Sequence, residues 1–189
     1  MSKQLQEIQT ILSKHSTVAA KTSTEKFVPG VMKVYGTRMP LLNELAGKFK
    51  EGGFELVEQL WNSGAYEEKV LAAKLLGKIA KKDPKQSLNL VNLFSKSIDN
   101  WAVCDAVGMQ SLKPIVKTHQ KEIFSFAKKL NSAKDFWQRR LSLVIVEWYT
   151  RIPELHPQIE ELIIPLENDS EYYVQKAVEW IRKNFKKGK

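Results

Sequence analysis

Cysteine and histidine are scarce in this chain of 189 residues. The single cysteine, Cys104, excludes an intrachain disulfide and a multi-thiolate zinc site, so nothing in the sequence requires an oxidising compartment. A lone cysteine in a helix is usually a core residue, and we expect that of Cys104. The three histidines, His15, His119 and His156, lack the spacing of zinc ligands. We therefore expect no metal site.

Long apolar runs and nucleotide-binding loops are also missing. No stretch approaches the roughly eighteen apolar residues of a membrane span, and the first thirty or so residues contain no apolar core of a signal peptide. The chain has no glycine-rich phosphate loop and no Gly-x-Ser-x-Gly elbow, which argues against nucleotide hydrolysis and serine-type acyl transfer. We expect a protein that is neither exported nor membrane-spanning, in a reducing cytoplasm.

Positive charge, by contrast, is abundant. Lys and Arg number 30 against 21 Asp and Glu, which gives a net charge of +9. An excess of this size favours an acidic partner, and nucleic acid is the first candidate. Hydrophobic residues make up 43% of the chain, too many for a disordered basic tail. The chain is therefore predicted to fold.

Apolar residues recur at helical spacing almost everywhere, and no run keeps the alternation of a strand. Asp83, which precedes a proline, is predicted to cap a helix. Residues 27–39 contain Pro29, Gly30 and Gly36, and they are predicted to form a shaped loop or turn. The predicted helices span residues 3–14, 17–27, 40–51, 53–62, 66–81, 84–96, 100–108, 112–129, 133–150, 154–166 and 170–186.

Such short amphipathic helices, joined by short turns, stack most naturally as an α-solenoid in which neighbours share a core. We therefore predict an all-α fold, a HEAT-like repeat α-solenoid of antiparallel helix pairs, forming a single domain over residues 1–189. Strict sequence repetition is weak, so the pattern also permits an ordinary helical bundle.

Trp101 and Asp105 lie four residues apart, so a helix places an aromatic ring and a carboxylate on one face. Val103, Ala106 and Val107 are predicted to point the other way. Two interpretations remain open for this pair: a functional constellation, or a partly exposed tryptophan beside a solvated carboxylate.

The last helix carries a basic row with an aromatic inside it. Lys176, Trp180, Lys183 and Lys187 recur at helical spacing, apart from the apolar stripe of that helix. A tryptophan among lysines suggests a surface that an anionic partner covers, such as a nucleotide backbone. The alternative is that Trp180 packs on the previous repeat, with lysines around it.

Arg140 lies beside the core stripe that contains Trp137, which we interpret as structural. From there its planar guanidinium could reach a phosphate, or it could form a salt bridge to a neighbouring repeat. Two rows of lysines could extend a phosphate-binding surface if the helices stack in register. They are Lys74, Lys78 and Lys81 on one helix, and Lys117, Lys121 and Lys128 on another.

Taken together, these residues resemble the AlkD-like family of DNA alkylation repair enzymes. The matching segments are Tyr35-Gly36-Thr37-Arg38-Met39-Pro40, Leu60-Trp61 with Glu67, Asp99-Asn100-Trp101 with Asp105, Trp137-Gln138-Arg139-Arg140, and Val174-Gln175-Lys176-Ala177 with Trp180. The resemblance implies HEAT-like repeats that curve around duplex DNA. It also implies hydrolysis of the N-glycosidic bond of N3- or N7-alkylated purines, without a metal or organic cofactor.

The resemblance also implies roles for individual residues. Trp101 and Trp180 would pack against the backbone of the damaged nucleotide, Asp105 would be the catalytic carboxylate and Arg140 the arginine that contacts a phosphate. Position 139 matches that arginine less well. Residues expected to bind DNA are Lys176, Lys183, Lys187, Arg139, Lys74 and Lys78.

Two features depart from the family pattern. Family members generally continue with a further helical segment after the helix of Trp180, so one end of the groove is expected to be shortened. The aromatic residue on the N-terminal wall of the cleft has two candidates, Phe27 and Tyr35. The sequence also offers no pocket for an extruded base, and recognition is expected through the nucleotide backbone.

Our leading hypothesis is a monofunctional, metal-independent alkylpurine DNA glycosylase. It would act on double-stranded DNA, as a monomer, in the cytoplasm close to the nucleoid. A noncatalytic binder of DNA or branched DNA is the second hypothesis, and a protein-interaction scaffold is the third.

Overall fold

The computed structural model describes residues 2–31 and 33–186. This part of the chain contains eleven α-helices, short 3-10 turns and no strand. The helices are α1 (Lys3–Lys14), α2 (Val18–Phe27), α3 (Met39–Lys48), α4 (Gly53–Ser63), α5 (Tyr66–Ile79), α6 (Pro84–Ser95), α7 (Trp101–Gln110), α8 (Gln120–Asn131), α9 (Phe136–Val144), α10 (His156–Ile163) and α11 (Tyr172–Lys186). The all-α prediction is confirmed. None of these helices has the length and apolarity to cross a membrane.

The helix ends follow local chemistry. The Asp83 carboxylate accepts a hydrogen bond from the Gln86 backbone N–H at 2.9 Å and caps α6, as predicted. The predicted helix 112–129 is wrong in its first part: a 3-10 turn occupies Lys113–Ile115, and α8 begins only at Gln120. Pro114, inside that turn, cannot donate a backbone hydrogen bond and ends the helical path there.

The predicted helix 133–150 also proved too long. α9 stops at Val144, and a 3-10 turn follows at Glu147–Arg151. Residues 144–146 are Val-Ile-Val, and a run of β-branched side chains lowers the helix propensity at this point.

Odd-numbered helices pack on one another in chain order, α3 on α5, α5 on α7, α7 on α9 and α9 on α11. The even-numbered helices α4, α6 and α8 pack on α5, α7 and α9. One continuous cluster of buried apolar side chains runs through them from Leu5 to Ile181. The candidate functional site lies on the row of odd-numbered helices.

The loop between α2 and α3 is shaped as predicted, and a buried carboxylate holds it. Glu67, at the start of α5, is fully buried. Its carboxylate accepts hydrogen bonds from the backbone N–H groups of Tyr35, Gly36 and Thr37, at 3.0, 2.7 and 3.1 Å. Three such bonds satisfy a buried charge that would otherwise be costly. The loop is therefore fastened to α5 rather than left free.

Candidate active site

The start of α7 places Trp101 and Asp105 one turn apart on the same side of the helix. Asn100 caps the helix by accepting a hydrogen bond from the Val103 N–H at 2.9 Å. Trp101 and Asp105 are both partly exposed, which agrees with a shared position outside the core. Cys104 is fully buried, and burial raises the pKa of its thiol, so it is the inert core residue that the sequence indicated.

Ala106 differs from the sequence prediction. It was expected to point into the core with Val103 and Val107, but it lies on the open side of α7, where it borders the same cavity as Asp105. Cys104 occupies the core position instead. A small side chain at position 106 leaves space directly beside the carboxylate.

Arg140 holds the carboxylate of Asp105. Its Nη2 donates to Asp105 Oδ1 at 2.8 Å and to Oδ2 at 3.1 Å, and its Nε donates to Oδ1 at 3.2 Å. The remaining nitrogen, Nη1, donates to the Tyr173 carbonyl oxygen at 2.6 Å. Of the two roles left open for Arg140, the structure has the salt bridge to a neighbouring helix. A phosphate contact would have to compete with it.

The surroundings of Asp105 affect its ionisation in two opposite ways. Burial raises the pKa of the Asp105 carboxyl, while the charge and hydrogen bonds of Arg140 act to lower it. The net direction is upward. About a quarter of the Asp105 side chain remains exposed, against 7% for Arg140. The carboxylate can therefore meet a ligand, whereas the guanidinium is largely enclosed.

Trp101 is tied to the N-terminal part of the chain. Its indole Nε1 donates to the carbonyl oxygen of Phe27, at the end of α2, at 3.1 Å. Gly30, in the adjoining loop, has a φ of +85° and lies so close that a Cβ there would be 3.1 Å from the Asp99 carbonyl oxygen. The end of α2 thus lies against the start of α7.

A cavity of about 440 Å³ opens beside Arg140, and we call it the Arg140 cavity. Trp101 and Tyr173 line it, and two largely exposed aromatic residues, Phe27 and Tyr172, stand at its edge. Of the two candidates for the N-terminal aromatic, Phe27 is therefore at the site. Tyr35 instead donates its hydroxyl to the buried Glu68 at 2.9 Å.

A second cavity, of about 260 Å³, also borders Trp101, and we call it the Asp105 cavity. Its wall is mainly apolar and includes Tyr66, Val70 and Met109, with Lys74 at its border. The sequence analysis identified no pocket for an extruded base, and it did not reveal this cavity. This pocket forms only where α3, α5 and α7 meet, so no single segment reveals it.

A third cavity, of about 490 Å³, continues past Lys74, and we call it the lysine cavity. Lys74, Lys78 and Lys113 line it. Lys74 and Gln110 border both this cavity and the Asp105 cavity, and Trp101 borders both the Asp105 and the Arg140 cavities. The three cavities therefore adjoin one another along α3, α5, α7, α9 and α11, and together we call them the groove.

A model of one family, the DNA alkylation repair enzymes, matches residues 8–187. The chain belongs to the DNA alkylation repair enzyme family. None of the curated proteins matches it.

In this family member, Trp180 lies in the middle of α11. It is partly buried against the core and lines none of the three groove cavities. Tyr172 and Tyr173 border the Arg140 cavity instead. The α11 residues at the Arg140 cavity extend to Lys176, and Trp180 lies about one turn further along the helix. The alternative interpretation, a packed Trp180, agrees with this position.

The predicted DNA-binding residues divide into two groups. Lys74, Lys78 and Lys176 border the groove, although Lys176 also pairs with Glu179 at 2.8 Å. Lys183 is exposed but lines none of its cavities, and Lys187 lies outside the described residues.

Arg139 requires a correction. Its Nε and Nη2 donate to the Asp169 carboxylate at 2.6 and 3.1 Å, and its Nη1 donates to two backbone carbonyl oxygens. With its donors used in this way and no place in the groove, Arg139 is not positioned to bind DNA there. Adjacent residues on a helix point about 100° apart, so only one of the two arginines can face the groove.

Several groove residues escaped the sequence interpretation, namely Lys26, Gln110, Lys113, Tyr172 and Tyr173. Only Tyr172 and Tyr173 had a recognisable signal in the sequence, an aromatic pair at the start of the last helix, directly after a capping segment. Lys26 and Lys113 had none, because their position depends on which helices meet.

Proposed function

We propose that this chain is a DNA glycosylase that hydrolyses the N-glycosidic bond of N3- and N7-alkylated purines in duplex DNA. The observation that carries the proposal is the partly exposed Asp105 carboxylate, which Arg140 fixes at the edge of an apolar cavity, while Arg140 itself borders an aromatic cavity. Membership of the DNA alkylation repair family supports the substrate class.

The chemistry suits a single fixed carboxylate. An N3- or N7-alkylpurine already carries positive charge, so it can leave without a strong general acid. As the bond breaks, positive charge moves to the sugar, and Asp105 would stabilise that charge more in the transition state than in the ground state. The same carboxylate could orient the attacking water. Asp105 is therefore assigned the catalytic role.

Arg140 is assigned a positioning role. Its two-pronged contact fixes the direction of the Asp105 oxygens before any ligand arrives, and preorganised charge is worth more than charge that must reorient. Trp101, Phe27 and Tyr172 would pack on the nucleotide backbone and sugar, where an aromatic face adds a cation–π attraction on the order of 0.5 to 2 kcal/mol.

The groove also suits a duplex. Lys26, Lys74, Lys78, Lys113 and Lys176 border its three cavities and can contact phosphates. We infer that the helices form a HEAT-like α-solenoid of antiparallel pairs and a single domain, in keeping with the ordered packing from α3 to α11. Such a protein would act as a monomer in the nucleoid-associated cytoplasm.

The decisive experiment measures release of free base from duplex DNA that carries N7-methylguanine, under single-turnover conditions. In Asp105→Asn the fixed negative charge is lost, so we expect the rate to fall roughly 100-fold or more. The wild type should exceed the spontaneous rate clearly.

The chain supplies a matched control. Asp169 pairs with Arg139, which precedes Arg140 on α9, but Asp169 lies outside the groove. Asp169→Asn should lower the melting temperature without lowering base release from folded protein. Equal losses of activity in the two variants would mean that Asp105 acts only through stability, and the catalytic assignment would be wrong.

A noncatalytic DNA binder is the second candidate function. One observation favours it: Arg140 already occupies both oxygens of Asp105, which leaves less of the carboxylate for a water or a sugar. In that case neither wild type nor Asp105→Asn would release base, and Asp105→Asn would bind DNA at least as tightly, because one negative charge is gone from the groove.

A further inference from the structure

α2 differs from the other helices of the described ranges in how little of it is buried. None of its ten residues is buried, whereas each of the other ten described helices buries at least three. Within α2 only Ala20 and Thr24 are partly buried. The helix also has no extended packing along any other described helix. Burial of apolar surface therefore contributes little to its stability.

Contacts at its two ends hold α2 in place. At the start, the Thr17 N–H donates to the Gly36 carbonyl oxygen at 3.0 Å, and the Thr17 hydroxyl oxygen accepts from the Ala20 N–H at 3.2 Å. At the end, the Phe27 carbonyl oxygen accepts from the Trp101 indole at 3.1 Å. These bonds fix where α2 begins and ends, but they do not stabilise the turns between them.

The turns in the middle of α2 are weak by themselves. Isolated helices shorter than about 12 to 15 residues are marginal in water, even when they are rich in alanine. The middle of α2 reads Thr22-Ser23-Thr24, three residues of modest helix propensity. Segments with few buried contacts open locally at much lower free energy than the core does. α2 therefore needs a partner on its open side to be firmly helical.

The side of α2 that faces the groove indicates the chemistry of this partner. Lys26 and Phe27, in the last turn of α2, border the Arg140 cavity together with Lys176. Ser23 lies one turn before Phe27 and so on the same side of the helix. A cation, a hydroxyl group and an aromatic face suit a sugar-phosphate backbone. Glu25, the one carboxylate of α2, is two residues from Phe27 and therefore points away from that side.

We propose that α2 is a DNA-binding helix whose formation is coupled to binding. In the free protein it opens locally, and it becomes firmly helical when the strand at the Arg140 cavity packs against it. The proposal rests on the proposed function in one respect, that the groove holds DNA. It goes beyond that function because one wall of the binding site is completed by the DNA itself.

Hydrogen exchange of the whole protein tests whether DNA orders α2. With an excess of undamaged duplex, amide exchange over residues 18–27 should slow by roughly tenfold or more. α6 lines none of the groove cavities, so its exchange should change much less. Exchange in α2 that is the same with and without duplex would overturn the proposal. So would slowing that follows protein concentration instead of DNA, because it would mean that a second copy of the chain covers α2.

Two substitutions of one residue distinguish a helix that forms on binding from one that is already rigid. Thr22 is exposed, and Thr22→Ala and Thr22→Gly both remove its hydroxyl group, but alanine favours a helix much more than glycine does. If helix formation is part of binding, Thr22→Gly should bind the duplex about three- to fivefold more weakly than Thr22→Ala. Fluorescence anisotropy measures both affinities. Equal affinities, or no binding to duplex by any variant, would contradict the proposal.

Ser125 provides the matched control. It is exposed in the middle of α8, a helix with five buried residues, and it lines none of the groove cavities. Ser125→Gly should melt at a lower temperature than Ser125→Ala, while both bind the duplex equally. A loss of affinity as large as that of the Thr22 pair would show that the effect is not particular to α2, and the proposal would be wrong. Because the duplex is undamaged, a protein that binds it but releases no base fails the glycosylase assay without changing the result of this test.

Discussion

Arg139 and Arg140 show that a shift of one residue along a helix decides whether a side chain faces the groove. Both sit on α9 and both pair with a carboxylate, yet Asp105 faces the groove and Asp169 does not. The sequence pattern predicted Arg140 at the flank of a core stripe, and Arg140 was chosen over Arg139 as the functional arginine. It could not show that the guanidinium would meet Asp105, because the two residues are 35 positions apart.

A substitution of Trp101 tests the contribution of a single hydrogen bond at the site. Trp101→Phe keeps the aromatic face but removes the N–H that holds the Phe27 carbonyl oxygen. The loss of one hydrogen bond is worth about 1 kcal/mol, so we expect DNA affinity and base release to fall about fivefold as the wall of the Arg140 cavity loosens. Fluorescence anisotropy of labelled duplex measures the affinity.

Trp61 provides the comparison. Its indole Nε1 donates to Ser97 Oγ at 2.9 Å, inside the core and away from the groove. Trp61→Phe should therefore lower the melting temperature and leave the affinity for DNA unchanged. If both substitutions weakened binding equally, the Trp101 bond would have no special role at the site.

The sequence predicted that Trp101 and Asp105 share one face of a helix, because four-residue spacing alone puts them there. It left open whether Trp180 faces the cleft or packs on the previous repeat, because that choice depends on where α11 begins relative to Arg140. That starting point is fixed by packing of α11 on α9, which no local pattern contains.

At the scale of elements, α5 and α7 approach each other closely at Gly77. A Cβ at this position would overlap the backbone carbonyl oxygen of Gln110, which cannot move as a side chain can. Gly77→Ala should therefore destabilise the fold by about 1 to 3 kcal/mol, although alanine is the better helix former. Thermal unfolding should show this as a lower melting temperature, roughly 2 to 4 °C for each kcal/mol.

Gly47, in α3, is the natural control, since a Cβ there meets nothing within 4 Å. Gly47→Ala should raise the melting temperature slightly, through a gain of up to about 1 kcal/mol. A stabilised Gly77→Ala would show that α5 and α7 can separate at no cost, contrary to the packing described above.

Helix positions were predictable to within a few residues where a capping residue marks the start of a helix, as at Asp83. The exceptions, around Pro114 and Val144, occur where tertiary packing lets the chain continue as 3-10 turns. Apolar periodicity does not distinguish such turns from a continuing helix over so few residues.

At the scale of the molecule, five lysines border the groove, so binding to duplex DNA should depend steeply on salt. If all five contact phosphates, the logarithm of affinity should fall with the logarithm of salt concentration with a slope of about −4.5, a loss of roughly 500-fold between about 50 and 200 mM. A protein-interaction scaffold would respond little to salt, so a flat dependence would favour that function.

Two triple substitutions locate the binding surface. Replacing Lys74, Lys78 and Lys113 by Gln should reduce the slope by about 3. The same change at Lys117, Lys121 and Lys128, which border none of the three groove cavities, should alter it far less. Equal effects would mean that the groove is not the surface that contacts DNA.

The hydrogen bond between Trp101 and Phe27 also constrains the order in which parts of the protein can fold during synthesis. Its two residues are 74 positions apart, and a ribosome adding about 5 to 20 residues per second needs roughly 4 to 15 seconds to make that stretch. During that interval α2 has been synthesised but lacks the surface on which its end will rest. A substitution that slows docking of α7 would therefore delay the appearance of a competent groove in newly made chains, even where it leaves the finished protein as stable as before.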